Sequence, residues 1–109
     1  MRAVIAFLLM TEAALAAVDP TGPLPIGTPC TYLRHDEMVT RLKAQKGAVF
    51  IEGGGLADGR KLEVYMDPVK SMWWHVIVKR ANTLTGWKVQ ADSPSCLFAD
   101  SDPVPVPAP

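Results

Sequence analysis

The chain has 109 residues and a formal net charge of zero, so composition alone points to no strongly charged partner. Between Cys30 and Gln90 ten Lys or Arg stand against six Asp or Glu, while Asp19, Asp92, Asp100 and Asp102 lie toward the ends. That mildly basic middle lacks the clustered basic stripe of a nucleic-acid footprint, and the expectation is no nucleic-acid partner.

Residues 1–16 have the three parts of a secretory signal peptide. Arg2 supplies the positive start, an apolar run extends from Ala3 to Met10 and resumes at Ala13, and small residues stand at Ala14 and Ala16, with cleavage expected after Ala16. Thr11 and Glu12 interrupt the run, leaving it well short of the roughly 20 residues that span a bilayer. No cysteine follows closely, so no membrane anchor is expected once the signal is removed. The predicted location is periplasmic or secreted.

Residues 17–29 form a Pro-rich N-terminal arm, and residues 99–109 form a second Pro-rich segment expected to be a disordered tail. Between them, residues 30–98 make one small domain, near the size at which an apolar core alone gives marginal stability. Its two cysteines, Cys30 and Cys96, fall in the exported part, where a pair is expected to be oxidised to a disulfide. Their separation excludes a CxxC redox motif or a zinc cluster.

Residues 32–46 predict a helix, with Met38, Val39 and Leu42 at helical spacing, acidic residues early, Lys43 and Lys46 late, and Gly47 as its stop. Neighbours on a helix point in different directions, so His35-Asp36-Glu37 reads as a solvated helix start. Residues 48–52 predict a first strand. Gly53-Gly-Gly-Leu-Ala-Asp-Gly59 then reads as a linker with an Asp-Gly hairpin turn, lacking the Lys-Ser/Thr ending of a phosphate-binding loop.

Residues 61–67 predict a second strand, with Leu62, Val64 and Met66 on the core side and Lys61, Glu63, Tyr65 and Asp67 on the other. Asp67-Pro68 opens the next turn. Residues 72–80 then predict a central strand whose Met72, Trp74, Val76 and Val78 form one apolar row, with Trp73, His75, Ile77 and Lys79 opposite. Residues 87–91 alternate Trp87, Val89 and Ala91 with Lys88 and Gln90 as a further strand, and Pro94 is expected to end regular pairing. The predicted fold is α+β: one N-terminal helix packed on a three- to four-stranded antiparallel sheet, stapled by one disulfide.

The stretch Gly55-Leu-Ala-Asp-Gly-Arg-Lys-Leu-Glu-Val-Tyr65, followed by Trp74 and by Cys96-Leu97, resembles a group of small exported bacterial proteins of unknown function. These share a Gly-Leu turn, an Asp-Gly, a Leu-x-Glu strand with an aromatic, a Trp strand and a late cysteine. The resemblance implies export and a fold, and no activity.

Only two histidines are present, the serines are scattered, and both cysteines are expected to be bonded, so the reading is not an enzyme, with no cofactor and no metal. The candidate binding patch is Tyr65, Trp73, His75, Ile77 and Lys79, an aromatic surface suited to an envelope protein or a glycan. A competing reading places Leu24 and Ile26 of the arm over that face. The alternative function is inhibition of a secreted or cell-wall hydrolase through a loop carrying Asp58, Arg60 and Lys61.

Overall fold

The computed structural model describes residues 18–27, 29–81 and 86–100; the expected signal peptide and residues 101–109 of the expected tail lie outside them. The elements are β1 (Leu33–Arg34), α1 (His35–Lys46), β2 (Val49–Gly55), β3 (Lys61–Asp67), β4 (Met72–Val78) and β5 (Pro94–Ala99). The strands form one five-stranded sheet in the order β1-β5-β4-β3-β2, antiparallel throughout. The fold is α+β with a Cys30–Cys96 disulfide. It has five strands, and β1 precedes the helix.

The helix starts three residues later than expected because Leu33 and Arg34 pair with Ser95 and Pro94 of β5. No side chain caps it; the N–H groups of His35 and Asp36 donate to the carbonyls of Ser93 and Ala91 at 2.8 and 3.0 Å. Those two loop carbonyls satisfy donors that every helix start leaves open. At the other end Gly47 takes a left-handed φ of 63° and donates to the Lys43 carbonyl, where a residue with a Cβ is disfavoured. Met38 and Leu42 are fully buried.

Two strand assignments change. Residues 87–91 are not a strand; that segment is a loop whose last carbonyl, Ala91, serves α1, while the Trp87 indole donates to Gly59 O at 3.0 Å and packs against the core. Pro94 opens β5 instead of ending the sheet, a position where its missing N–H is tolerated. The three glycines 53–55, read as a linker, belong to β2.

The largest correction concerns β3. Tyr65 pairs with Trp74 and Glu63 with Val76, so Lys61, Glu63, Tyr65 and Asp67 share the helix-covered face. Leu62, Val64 and Met66 lie on the opposite face with Ile77, His75 and Trp73. A one-residue change of register exchanges the two faces of a strand, and here the turn between Asp67 and Met72, which pair across it, sets that register. Lys61, Glu63, Tyr65 and Asp67 each have a partner on the covered face. Asp67, 6% exposed, accepts from the N–H groups of Val69 and Lys70. Lys61 lies over the Trp87 ring, with Nζ 5.1 Å from its centroid, and Glu63 binds His35 and Tyr65.

The arm does not cover the second face. Leu24 packs against the helix-side core, and Ile26 bridges Leu97 at the sheet edge while remaining 43% exposed. Arg41 holds the arm through the carbonyls of Asp19 and Pro23, and Gln45 through those of Pro20 and Gly22.

Candidate functional site

The register lays the second face out in three rows across the sheet. Val49, Met66 and Trp73 make the first, closed by Asp100, whose N–H donates to Trp73 O. Glu52, Val64, His75 and Phe98 make the second; Gly54, Leu62, Ile77 and Cys96 make the third. Burial runs across these rows. In the third, Cys30, Leu56 and Leu62 pack against Ile77 and Cys96, each 3% exposed. In the first, Trp73 is 39% and Val49 48% exposed.

The expected patch is therefore redistributed. Trp73 stands open and His75 half-buried beside it. Tyr65 lies on the other face, 2% exposed, and the cross-strand neighbour of Trp73 is Met66. Ile77 is buried core, and Lys79 is occupied at the far end over the Tyr32 ring, 5.5 Å from its centroid. Sequence reading missed Met66 and Val64, which it put on the core side of their strand, and Val49, to which it gave no face. The signal was present in their apolar character and needed only the other parity.

His75 Nε2 stands 3.9 Å from Asp100 Oδ1, and its Nδ1 is buried with no hydrogen-bond partner among the described residues. Such a group makes the centre of the face less comfortable than its apolar rim. At the Gly-rich end of β2, a groove of about 280 Å³ opens between Glu52–Leu56 and the side chains of Leu62 and Val64.

The nominated inhibitory loop is internally paired. Arg60 donates to Asp58 at 2.9 Å from Nε and lies 2.8 Å away through Nη2, both side chains being less than one-third exposed. That contact, foremost through the side-chain hydrogen bond, holds the Asp58 carboxyl below its ordinary range. Lys61 is directed to Trp87.

One cluster was not foreseen. His35 Nε2 lies 2.6 Å from Glu63 Oε1, and the Tyr65 hydroxyl donates to the same oxygen at 3.1 Å. Both His35 and Glu63 side chains are under one-fifth exposed. Burial, reinforced by the Glu63 charge, pushes the Tyr65 phenol well above its usual range. The cluster ties the first residue of α1 to the sheet, and it lies beneath the helix, away from the open rows. No group of His, Cys, Asp and Glu among the described residues could hold a metal ion, and no helix among them is long and apolar enough to cross a membrane.

No protein-family model, curated protein or solved structure matches the chain.

Proposed function

We propose that the protein is an exported, non-catalytic binding module that docks through the open end of its second sheet face. The observation that supports this is Trp73: a large aromatic, 39% exposed, held on a central strand between Met66 and the turn at Asp100. An aromatic on a rigid strand loses little entropy on docking, and such residues dominate interface energetics. The disulfide fits an oxidising compartment, in keeping with periplasmic or secreted placement after signal cleavage.

The partner we favour is an envelope protein presenting an apolar knob. A row of Val49, Met66 and Trp73 offers contact area and few hydrogen-bonding groups, whereas a glycan site needs several polar groups placed beside its aromatic. The hydrolase-inhibitor reading ranks second, since Arg60 and Asp58 neutralise each other within the loop.

The test compares retention of periplasmic proteins by the immobilised oxidised chain with retention by Trp73→Ser and by Arg60→Ala. Specific retention lost only with Trp73→Ser supports the open row. Loss only with Arg60→Ala supports the inhibitor loop, and retention unaltered by either sinks both readings.

A further inference from the structure

The two edges of the sheet differ. On the β5 side, β1 covers Pro94 and Ser95, while Ile26 bridges Leu97 and Gly27 N–H donates to its carbonyl. On the other side, nothing among the described residues pairs with the outer edge of β2. That edge carries Val49, Phe50 and Ile51, between 43 and 52% exposed, and Glu52 as its single charge. Long apolar edges are ordinarily blunted by charge, Pro, a bulge or a covering element; among the described residues the only such devices here are Glu52 and a bulge between Phe50 and Glu52.

The strand is also lopsided, with bulk in its first half and glycine in its second. Gly53 is favoured by its own fold, since a Cβ there would sit tightly against the Leu62 carbonyl, at 3.3 Å. Gly54 and Gly55 are not: a Cβ at either position meets no atom within 4 Å. Intramolecular packing leaves these two glycines unexplained. A second copy of the same strand, turned about a two-fold axis through Gly53, explains them. In that register Glu52 lies opposite Gly54 of the second copy and, past the bulge, Phe50 lies opposite its Gly55. The pairs share faces, because Glu52 and Gly54 sit on the open side while Phe50 and Gly55 sit on the helix side. Each bulky residue then covers a bare one, as aromatic side chains do for strand glycines.

We propose that β2 is a homodimer interface, pairing antiparallel with β2 of a second copy about Gly53 to make one continuous ten-stranded sheet. Because the β5 edge is covered, the contact is isologous and closes at two copies instead of propagating as a filament. The two-fold axis runs normal to the sheet, so both open faces point the same way and both helices lie on the other side.

The experiment is sedimentation equilibrium of the full oxidised protein over a concentration series, with three variants at exposed positions of β2. A monomer–dimer equilibrium is expected, abolished by Ile51→Lys. Gly54→Glu puts like charges opposite Glu52 twice and should weaken dimerisation roughly tenfold, while Gly54→Lys puts opposite charges there and should tighten it. Unfolding curves recorded under monomeric conditions keep these effects apart from misfolding. A monomer at every concentration, as would follow if another segment of the chain covered β2, overturns the proposal. So does assembly beyond two copies, a dimer indifferent to Ile51→Lys, or an equal response to the two charges at Gly54.

Discussion

On the helix-covered face Trp74, Val76 and Leu97 are at most 3% exposed, whereas on the opposite face exposure climbs from 0% at Phe98 to 39% at Trp73. The covered face is closed by α1, with the Trp87 loop packed beside it. Among the described residues the other face has no helix. It is closed at one end by the Cys30–Cys96 bond and Leu56, and left open at the other. A helix seals the central strands of one face, leaving Phe50 and Met72 at its margin 52 and 44% exposed, whereas a disulfide seals only one end of the other and leaves a graded surface available for contact.

The largest expected difference lies within the partly open face itself, between two aromatics in adjacent rows. Phe98 is fully buried, and Phe98→Ala should destabilise the fold by about 3–5 kcal/mol, read as a shift of the urea midpoint with the disulfide intact. A loss below about 1 kcal/mol, typical of surface sites, would mean that the face is open throughout. Removing the staple comes next. Cys30→Ser combined with Cys96→Ser releases a link between residues 66 apart and should cost about 2–5 kcal/mol. It should also raise hydrogen exchange in the Ile77 and Cys96 row ahead of the Trp74 row. Equal loosening of both faces would remove the distinction between helix seal and disulfide seal.

Much of this architecture was readable beforehand. The limits of β3, the disulfide, the Gly47 stop and the Asp58-Gly59 turn follow from local chemistry: an alternating run, two cysteines behind an expected export signal, and glycines at φ of 63 and 93°. The facing of β3 was not readable, because Leu62, Val64 and Met66 look like the core row and placing Lys61 and Glu63 on the covered face is justified by partners distant in sequence, Trp87 and His35. Glu63 and His35 are 28 residues apart, and no local pattern announces their contact. Residues 87–91 mimic a strand because a loop packing Trp87 inward and extending Lys88 outward has the same alternation. Trp73 was correctly placed on the second face, while its neighbours Met66 and Val64 inherited the parity error of β3.

A smaller effect tests the covered face by pH. The Tyr65 phenol is raised by burial and by Glu63, whereas in the unfolded chain it ionises near pH 10. The unfolded state therefore releases its proton first as pH rises. Stability from this group is complete below about pH 10 and declines above it, by at most about 1.4 kcal/mol per pH unit for one proton. Urea midpoints at stepped alkaline pH should fall less steeply for Tyr65→Phe than for the parent chain. Identical slopes would mean that Tyr65 is not sealed beneath α1.

The smallest expected change in stability is at Trp73, and it is the one that bears on function. Trp73→Phe keeps an aromatic at an exposed strand position and should alter stability by no more than about 0.5 kcal/mol. Its spectroscopic effect should be much larger. Among the three tryptophans, Trp74 is 3% exposed and Trp87 is partly packed against the core, so Trp73 supplies most of the fluorescence that iodide can reach. Replacing it should remove the steep component of the quenching curve and leave the shallow component from Trp87. If the curve is unchanged, Trp73 is covered in solution, and the open row cannot be the docking surface in the form argued above. If the steep component disappears while the urea midpoint holds, that end of the face contributes little to folding and stays free to meet a partner.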